Sequence, residues 1–445
     1  MAISPARVAA YSVLLRVDQQ DAYASELMHA PDYAKLSLAD HHLATELVMG
    51  VLRWRSLLDG QIAQRSSLKL SKLDPEVLTC LRLAAYQLLY LDRVPQHAAV
   101  HESVELVKRA RKSSAVPFVN AVLRKFAEDE SRPLAIGAAT EAGLAVSSAH
   151  PPWLVGRWAQ ALGLPLARQI CDYDQHIPAT CLSISDARIT NELEGQGIKL
   201  APGSLLTSAR RVIAGDIAGS QAVREQRVAI QDEASQLVAL LVGPGSRILD
   251  CCAAPGGKTR LLAERNPKAA VVAVELHPHR ARLLRKLVPQ GNVQVITADI
   301  RTLPVSEFFD RVLVDVPCSG TGTLARNPEI KWRLKTEDLR DLRARQLAIL
   351  QSAMQRVSPG GRLVYSTCSL EPEENQTVVE SALSSDSSFR IADARQQLHE
   401  LHSQGALAWK DADSLVSGPY LRTIPGVHPC DGFFAAILQK AQSNS

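Results

Sequence analysis

Apolar residues follow a helical spacing in the first part of this 445-residue chain and a strand-like spacing in its last part. Val8, Tyr11, Leu14 and Leu15 recur at intervals that place them on one face of a helix. Comparable spacing continues, from helix to helix, as far as Phe126. The pattern predicts an all-α helical bundle over residues 1–128.

Two of these helices begin at residues typical of helix N-termini. Ser37 caps a helix that runs towards Trp54, and Asp74 precedes a proline, Pro75, at the first position of another. A basic cluster at 108–112 follows a further helix. Its cations either complement the helix C-terminus or contact phosphates, and the sequence leaves both roles open.

Between the bundle and the last part of the chain the pattern is less regular. Residues 129–149 are rich in Ala, Gly, Ser and Glu, which predicts a linker. Order resumes at His150, and short apolar runs at 181–184 and 211–213 alternate with turns. We therefore expect a small α+β module over residues 150–230.

From residue 231 onwards strands and helices alternate. Five buried apolar strands are predicted, at 247–250, 270–275, 293–296, 311–314 and 362–365. Helices fit between them, including one over 339–357 that ends at the turn 358–361. Repeating units of this kind predict a mostly parallel, doubly wound, Rossmann-like α/β domain over residues 231–441. Ligands of such sheets bind beyond the carboxyl ends of the strands.

Composition adds few constraints. Hydrophobic residues make up 46% and charged residues 22%, as in soluble globular proteins, and a formal net charge of +4 permits a polyanionic partner. No apolar run has the length of a membrane span, and residues 1–20 lack a signal-peptide pattern. The eight cysteines show neither CxxC pairs nor metal-ligand spacing, so we expect no metal site and a reducing cytoplasm.

The first strand of the α/β domain leads into a turn of small residues, 250–259, that ends in Gly257-Lys258-Thr259. Such a turn lets a ligand approach backbone N–H groups at the N-terminus of the next helix. A phosphate-binding P-loop is excluded, because it needs a glycine at the position of Cys252.

Two acids follow the next strands. Glu275 could accept hydrogen bonds from ribose hydroxyls or be a solvated carboxylate, and Asp299 could accept one from an exocyclic amine. Together with the small-residue turn, these acids suit an adenosine ligand. S-adenosylmethionine fits better than ATP or NAD, because no phosphate-binding loop is present.

Asp315 and Cys318 follow the fourth strand, and Cys368 follows the fifth. Adjacent strands would bring the two thiols together, either as reactive groups or as core residues. Lys258 or a helix N-terminus could lower the pKa of a thiol there. A thiol nucleophile, an acid and a base around a methyl donor are the groups that methylation of pyrimidine C5 requires.

The stretches AAPGGKT, DVPCSGTG, NPEIKW, YSTCSLEPEEN and DGFF resemble those of the Sun family of RNA cytosine-5 methyltransferases. The resemblance implies a class I methyltransferase domain in which Cys368 attacks C6 of cytosine, Cys318 assists proton removal and product release, and Asp315 holds N3. The family more often has aspartate where this chain has Glu275. The resemblance further implies that S-adenosyl-L-methionine is bound by Cys252, Ala253, Ala254, Pro255, Gly256, Gly257, Lys258, Glu275, Arg280, Asp299 and Asp315.

The bundle is similar to the NusB-type RNA-binding domain, on the stretches LATELVMGVLRWRSLLD, AAYQLLYLDRVPQHAAVHESVELVK and FVNAVLRKF. This arrangement resembles bacterial family members that methylate 16S ribosomal RNA. It implies RNA binding by the bundle and by the module at 150–230, 16S rRNA as partner, cytosine 967 as target, and a monomer.

Two other functions stay open at this point. The chain could be a non-catalytic RNA-binding or ribosome-assembly factor with a methyltransferase-like fold, or it could methylate another RNA such as tRNA. Lys331 and Trp332, which follow the DVPCSGTG stretch, either contact RNA or serve in packing.

Overall fold

The computed structural model describes residues 3–20, 22–28, 30, 33–128, 139–184, 186–303 and 308–442. It forms two compact units. The first contains Met1–Ile177 together with Leu324–Arg333, and the second contains Pro178–Thr323 and Leu334–Ser445. The four-part division at 128, 149 and 230 stays a prediction.

The helices lie, in chain order, at α1 Pro5–Gln20, α2 Ala24–Met28, α3 Leu38–Arg65, α4 Pro75–Tyr90, α5 Gln96–Arg109, α6 Val116–Glu128, α7 Glu141–Ser147, α8 Pro152–Leu162, α9 Leu164–Asp174, α10 Ala187–Gly195, α11 Gln221–Arg224, α12 Glu233–Val242, α13 Gly257–Arg265, α14 Pro278–Leu287, α15 Ile330–Arg333, α16 Asp338–Met354, α17 Gln376–Ser385 and α18 Ala394–Ser403. Among the described residues, every helix is too short or too polar to cross a membrane.

The strands lie at β1 Cys181–Ser183, β2 Lys199–Pro202, β3 Ala209–Ala214, β4 Ala229–Ile230, β5 Arg247–Asp250, β6 Ala270–Glu275, β7 Val293–Thr297, β8 Phe309–Asp315, β9 Val357–Thr367, β10 Phe389–Ala392, β11 Val416–Ser417, β12 Tyr420–Arg422 and β13 Phe434–Lys440.

The first unit is helical, as the apolar spacing predicts. Ser37 caps α3 by accepting a hydrogen bond from the Asp40 backbone N–H at 3.1 Å. Helix α3 continues beyond Trp54 to Arg65, because Leu58 and Ile62 extend its buried face. The bundle core therefore includes the second half of this helix.

Residues 129–138 of the predicted linker lie outside the described residues. The rest of that stretch includes α7, whose N-cap Thr140 accepts from the Gly143 backbone N–H at 3.1 Å. Helices α8 and α9 follow within the same compact unit.

Residues 324–333, which follow the DVPCSGTG stretch, also pack in the first unit. The Lys331 ammonium is buried and donates to the Arg53 and Ala149 carbonyl oxygens at 2.9 and 3.0 Å. Burial lowers its pKa to about 7. Trp332 Nε1 donates to the Leu52 carbonyl at 2.6 Å. The sequence left two roles open for Lys331 and Trp332, contact with RNA and packing, and the structure shows packing.

In the second unit, the predicted short strands at 181–184 and 211–213 are confirmed in β1 and β3. They belong to a four-stranded antiparallel sheet in the order β2-β3-β1-β4, in which Cys181 is paired with Arg211. A separate apolar core, which includes Leu182 and Leu193, underlies this sheet.

The nine-stranded sheet of this unit has the order β11-β12-β13-β9-β8-β5-β6-β7, with β10 paired to β13. Strands β5 to β9 pair in parallel, whereas β13 pairs antiparallel to β9. The chain runs from β5 through β6 to β7 and then returns to the other side of β5 with β8 and β9. This arrangement confirms the predicted doubly wound fold.

One predicted boundary is wrong. Residues 358–361 do not terminate a helix that reaches 357, because α16 ends at Met354 and β9 begins at Val357. The buried Val357 pairs with Phe309, and the pairing shifts before Arg362 joins it, so the turn-like residues form an irregularity within β9. Gly360 adopts φ +69° there, which glycine tolerates.

Candidate active site

The candidate site residues cluster at the carboxyl ends of β5, β6, β8 and β9. Strand β5 lies between β8 and β6, so the direction of strand succession reverses at this point. Doubly wound sheets bind ligands in the crevice that such a reversal creates. The topology alone therefore brings the turn at 250–259, Glu275, Asp315 and Cys368 to one edge.

The turn after β5 depends on a glycine. Gly256 has φ +119°, and a Cβ atom there would approach Leu284 Cδ1 to 2.7 Å and Val288 Cγ2 to 2.6 Å. Behind the turn, the Thr259 hydroxyl donates to Asp250 Oδ2 at 2.7 Å. Burial raises the pKa of Asp250 to about 6. The turn leads directly into α13, whose N-cap residue is Gly256.

Other predicted cofactor residues line the same turn. The Ala253 N–H donates to the Val274 carbonyl at 2.9 Å, and Arg280 Nη2 donates to the Ala254 carbonyl at 3.2 Å. Pro255 stands at the exposed outside of the turn. Burial raises the pKa of the Cys252 thiol well above its ordinary value, so this cysteine stays protonated.

The two acids differ in their surroundings. Glu275 is buried, with 4% of its surface exposed, and its Oε1 accepts from the His277 N–H at 2.9 Å, which rules out the solvated alternative. Asp299 is partly exposed and forms an ion pair with Arg301 at 2.6 Å. The hydrogen bond to Arg301 lowers the pKa of Asp299. Sequence analysis missed this pair, although only one residue separates its members.

Asp315 is held from two sides. Lys258 Nζ donates to Asp315 Oδ2 at 2.8 Å, and the Ser366 hydroxyl donates to Asp315 Oδ1 at 2.7 Å. Burial alone would lower the pKa of Lys258, but the charge of Asp315 and their hydrogen bond raise it. The Lys258 ammonium also lies 5.0 Å from the centre of the Phe433 ring, in the DGFF stretch.

The two thiols lie in contact. Cys318 Sγ and Cys368 Sγ are 3.4 Å apart, both cysteines are free, and both are partly exposed. The predicted proximity is therefore confirmed. The hydrogen bond to Cys368 and then burial raise the pKa of Cys318 well above its ordinary value. For Cys318 the expected lowering of the thiol pKa by Lys258 or a helix N-terminus is thus wrong.

Sequence analysis missed two side chains of this site, Glu374 and Asn375. Glu374 is fully buried and accepts from the Ser319 N–H at 2.8 Å. Asn375 accepts from the Thr367 hydroxyl at 2.6 Å and donates to the Ser369 carbonyl at 2.9 Å. Their only signal was their place in the YSTCSLEPEEN stretch.

The other cysteines have packing environments. Buried thiols that take part in no disulfide are those of Cys80, Cys171, Cys181, Cys251 and Cys430. No group of three or more His, Cys, Asp and Glu side chains among the described residues could hold a metal ion.

Comparison with known proteins identifies the family of the chain. The family model described as 16S rRNA methyltransferase RsmB/F matches residues 237–439, and the NusB family model matches residues 4–128. A probable ribosomal RNA small subunit methyltransferase B of Bacillus subtilis (strain 168) is 33% identical over 446 residues, which cover 97% of this chain and 98% of the relative. The ribosomal RNA small subunit methyltransferase B of Vibrio cholerae is 33% identical over 90% of both chains.

Solved structures share the fold. The crystal structure of PH0851 superposes with a TM-score of 0.79 at 23% identity and covers 99% of this chain and 100% of its own. NSun6 from Pyrococcus horikoshii, solved with SFG, gives a TM-score of 0.55 at 17% identity and covers 65% of this chain and 97% of its own. On the whole-length similarity to its relatives, this chain belongs to the RsmB/F family of 16S rRNA methyltransferases, with a NusB-family domain at residues 4–128.

Proposed function

We propose that this methyltransferase uses S-adenosyl-L-methionine to methylate C5 of a cytosine in 16S rRNA, through a covalent bond between Cys368 Sγ and C6 of the base. The observation that carries the proposal is the thiol pair, with its sulfur atoms 3.4 Å apart beside Asp315. A binding module would need neither thiol. The target proposed from whole-chain similarity is cytosine 967.

The residues at the sheet edge fit an adenosine-containing methyl donor. The turn offers small residues and the N-terminus of α13, and buried Glu275 stands at the end of the neighbouring strand to bind ribose hydroxyls. Asp299, which follows β7 and is ion-paired with Arg301, would face the adenine base of the methyl donor. S-adenosylmethionine, when bound here, supplies the methyl group as an electrophile.

The thiol pair can lose one proton more easily than two. Two thiols in contact lose their protons as a coupled unit, since two adjacent thiolates repel each other. The hydrogen bond to Cys368 and burial raise the pKa of Cys318, which favours its thiol form. We assign the attack on C6, which makes C5 nucleophilic, to Cys368, because the resemblance of the YSTCSLEPEEN stretch to the family implies that its cysteine is the nucleophile.

The same coupling gives Cys318 its later role. Once Cys368 Sγ is bonded to C6 it is a neutral thioether, so the hydrogen bond to a Cys368 thiolate and the charge of that thiolate no longer raise the pKa of Cys318. Cys318 can then lose its own proton to solvent and, as thiolate, remove the C5 proton after methylation. The electrons of that C–H bond form the C5–C6 double bond, and Cys368 leaves as thiolate.

Asp315 is placed to hold the base during these steps. Its two oxygens already accept from Lys258 and Ser366, but a carboxylate has about four lone-pair positions, so two are available for the N3–H that forms when N3 takes a proton from solvent as the thiolate adds to C6. Lys258 keeps a positive charge against this carboxylate. The two contacts fix the direction of Asp315 before the base arrives.

The test uses labelled S-adenosylmethionine and 16S rRNA that lacks cytosine methylation. We expect one 5-methylcytidine per rRNA, mapped to cytosine 967, and no product with Cys368→Ala. Cys181→Ala, in the small antiparallel sheet, is the matched control and should keep activity. Methylation of tRNA alone would change the proposed substrate, and no methylation of any cytosine would favour a binding factor.

We further propose that the protein acts as a monomer and that it acts in the cytoplasm.

A further inference from the structure

Glu374 is a carboxylate without exposed surface, and hydrogen-bond donors surround it. Its Oε1 accepts from the Ser319 N–H and from Gln346 Nε2, both at 2.8 Å. Its Oε2 accepts from the hydroxyls of Ser319 and Ser369. Four charge-assisted hydrogen bonds offset the cost of burying this charge.

These contacts are made next to the two thiols. Ser319 directly follows Cys318, and Ser369 directly follows Cys368. The pairing of β8 with β9 ends at Asp315, before either cysteine, and beyond it the Gly322 N–H donates to the Cys368 carbonyl at 2.9 Å. One oxygen of Glu374 binds both serine hydroxyls, which are 3.0 Å apart. Glu374 therefore bridges the two thiol-bearing segments.

We propose that Glu374 is a positioning residue, which holds the two thiols in contact by binding Ser319 and Ser369. The proposal rests on the proposed function, because the distance between the thiols affects methyl transfer only if both thiols take part. Glu374 itself touches neither the base nor the methyl donor in this role.

The geometry calls for a carboxylate at this position. The Ser319 N–H and Gln346 Nε2 can only donate, so a glutamine would have to turn its –NH₂ towards the two serine hydroxyls. These hydroxyls would then accept from the amide, and the charge that strengthens all four hydrogen bonds would be lost. The negative charge of Glu374 also raises the pKa of the Cys318 thiol. The pKa of this thiol is raised by the hydrogen bond to Cys368, by burial, and further by the charges of Cys368, Glu374 and Asp315.

Other titratable groups face the two thiols, Cys318 and Cys368. These groups are kept in every variant used in the experiment below. Asp315 acts on Cys318, and Lys258 acts on Cys368 while it is ion-paired with Asp315. The Tyr365 hydroxyl donates to the Glu374 carbonyl oxygen, and burial raises the pKa of Tyr365 well above its ordinary value, so it stays neutral.

The experiment follows iodoacetamide alkylation of Cys318 and Cys368 against pH, by mass spectrometry of the two peptides, in parallel with kcat and KM. Glu374→Gln should lower the pH midpoint for Cys318 by about one unit, because a negative neighbour is lost. It should lower kcat about 100-fold and change the KM for rRNA less than about threefold. The exposed Glu380→Gln, in α17, is the control and should change neither quantity.

Ser369→Ala separates position from charge, because it keeps the carboxylate but removes the hydroxyl that donates to Glu374 and accepts from the Glu371 N–H at 3.0 Å. We expect about a tenfold lower kcat with an unchanged midpoint. A Glu374→Gln protein with wild-type midpoint and kcat would overturn the proposal. If that variant does not fold, the Ser319→Ala/Ser369→Ala pair decides, since wild-type kcat there also overturns it. A wild-type protein without methyltransferase activity would defeat the proposed function, while the thiol titration would still test Glu374.

Discussion

At the scale of single residues, the chemistry depends on which thiol keeps its proton. Cys318 and Cys368 are in contact, and the pKa of Cys318 is raised by that contact and by burial. In the proposed mechanism, Cys368 attacks C6 and Cys318 removes the C5 proton. The two tasks would then be divided between two identical side chains whose surroundings differ.

Asp250, behind the cofactor turn, gives a prediction about stability. Its folded-state pKa of about 6 is higher than the roughly 3.9 of an unfolded aspartate. The folded state therefore binds this proton more tightly, and stability is lost as the pH rises through that window. Relative to wild type, Asp250→Asn should gain about 1 kcal/mol between pH 5 and pH 7. Thermal unfolding at the two pH values measures the gain, and a difference independent of pH would contradict it.

The sequence predicted contacts that follow from strand order and missed those that follow from side-chain direction. Consecutive βα units place Cys318 beside Cys368, and this could be inferred from periodicity. The bridge through Glu374 depends on how a later loop folds back, which no local pattern encodes. The pairing of Asp299 with Arg301 depends on rotamers of exposed side chains.

At the scale of elements, the turn between β5 and α13 depends on the backbone conformation of Gly256. Gly256→Ala should distort it, because the residue has φ +119° and its Cβ would meet Val288. We expect a loss of about 1–3 kcal/mol in stability and weaker binding of S-adenosylhomocysteine. Calorimetry measures both quantities.

The matched control is Gly291→Ala, since a Cβ atom at Gly291 would meet no atom within 4 Å. It should bind S-adenosylhomocysteine with wild-type affinity. Equal affinities for the Gly256 and Gly291 variants would show that the turn does not form the cofactor site.

The segment 324–333 provides a second prediction at this scale. Lys331→Met keeps the apolar length of the side chain but removes the donor to the Arg53 and Ala149 carbonyls, of which the Arg53 carbonyl keeps Gln175 Nε2 at 3.5 Å. We expect about 2 kcal/mol lower stability of the folded chain, from the loss of two buried hydrogen bonds. Denaturant unfolding checks the loss. RNA affinity should keep its salt dependence, whereas a smaller salt slope with unchanged stability would indicate a phosphate contact.

At the scale of the whole molecule, the sequence predicted the helical bundle and the doubly wound sheet, because both depend on long, regular apolar patterns. The two compact units do not follow the predicted divisions along the chain. Helices α8 and α9 and the segment 324–333 lie in the same unit as the helical bundle. Lys331 shows why: its polarity suggests a surface, and only tertiary contacts to carbonyl oxygens explain its burial.

The central claim is that Cys368 forms a covalent bond to C6 of cytosine. Cys318 then removes the C5 proton, which allows this bond to break. The most direct measurement is a denaturing gel of the Cys318→Ala protein after incubation with unmodified 16S rRNA and S-adenosylmethionine. We predict a covalent protein–RNA complex that survives denaturation, because the C5 proton is not removed and Cys368 is not expelled. Cys368→Ala should form no complex. A complex with Cys368→Ala, or none with Cys318→Ala under conditions in which the wild-type protein methylates rRNA, would contradict the account.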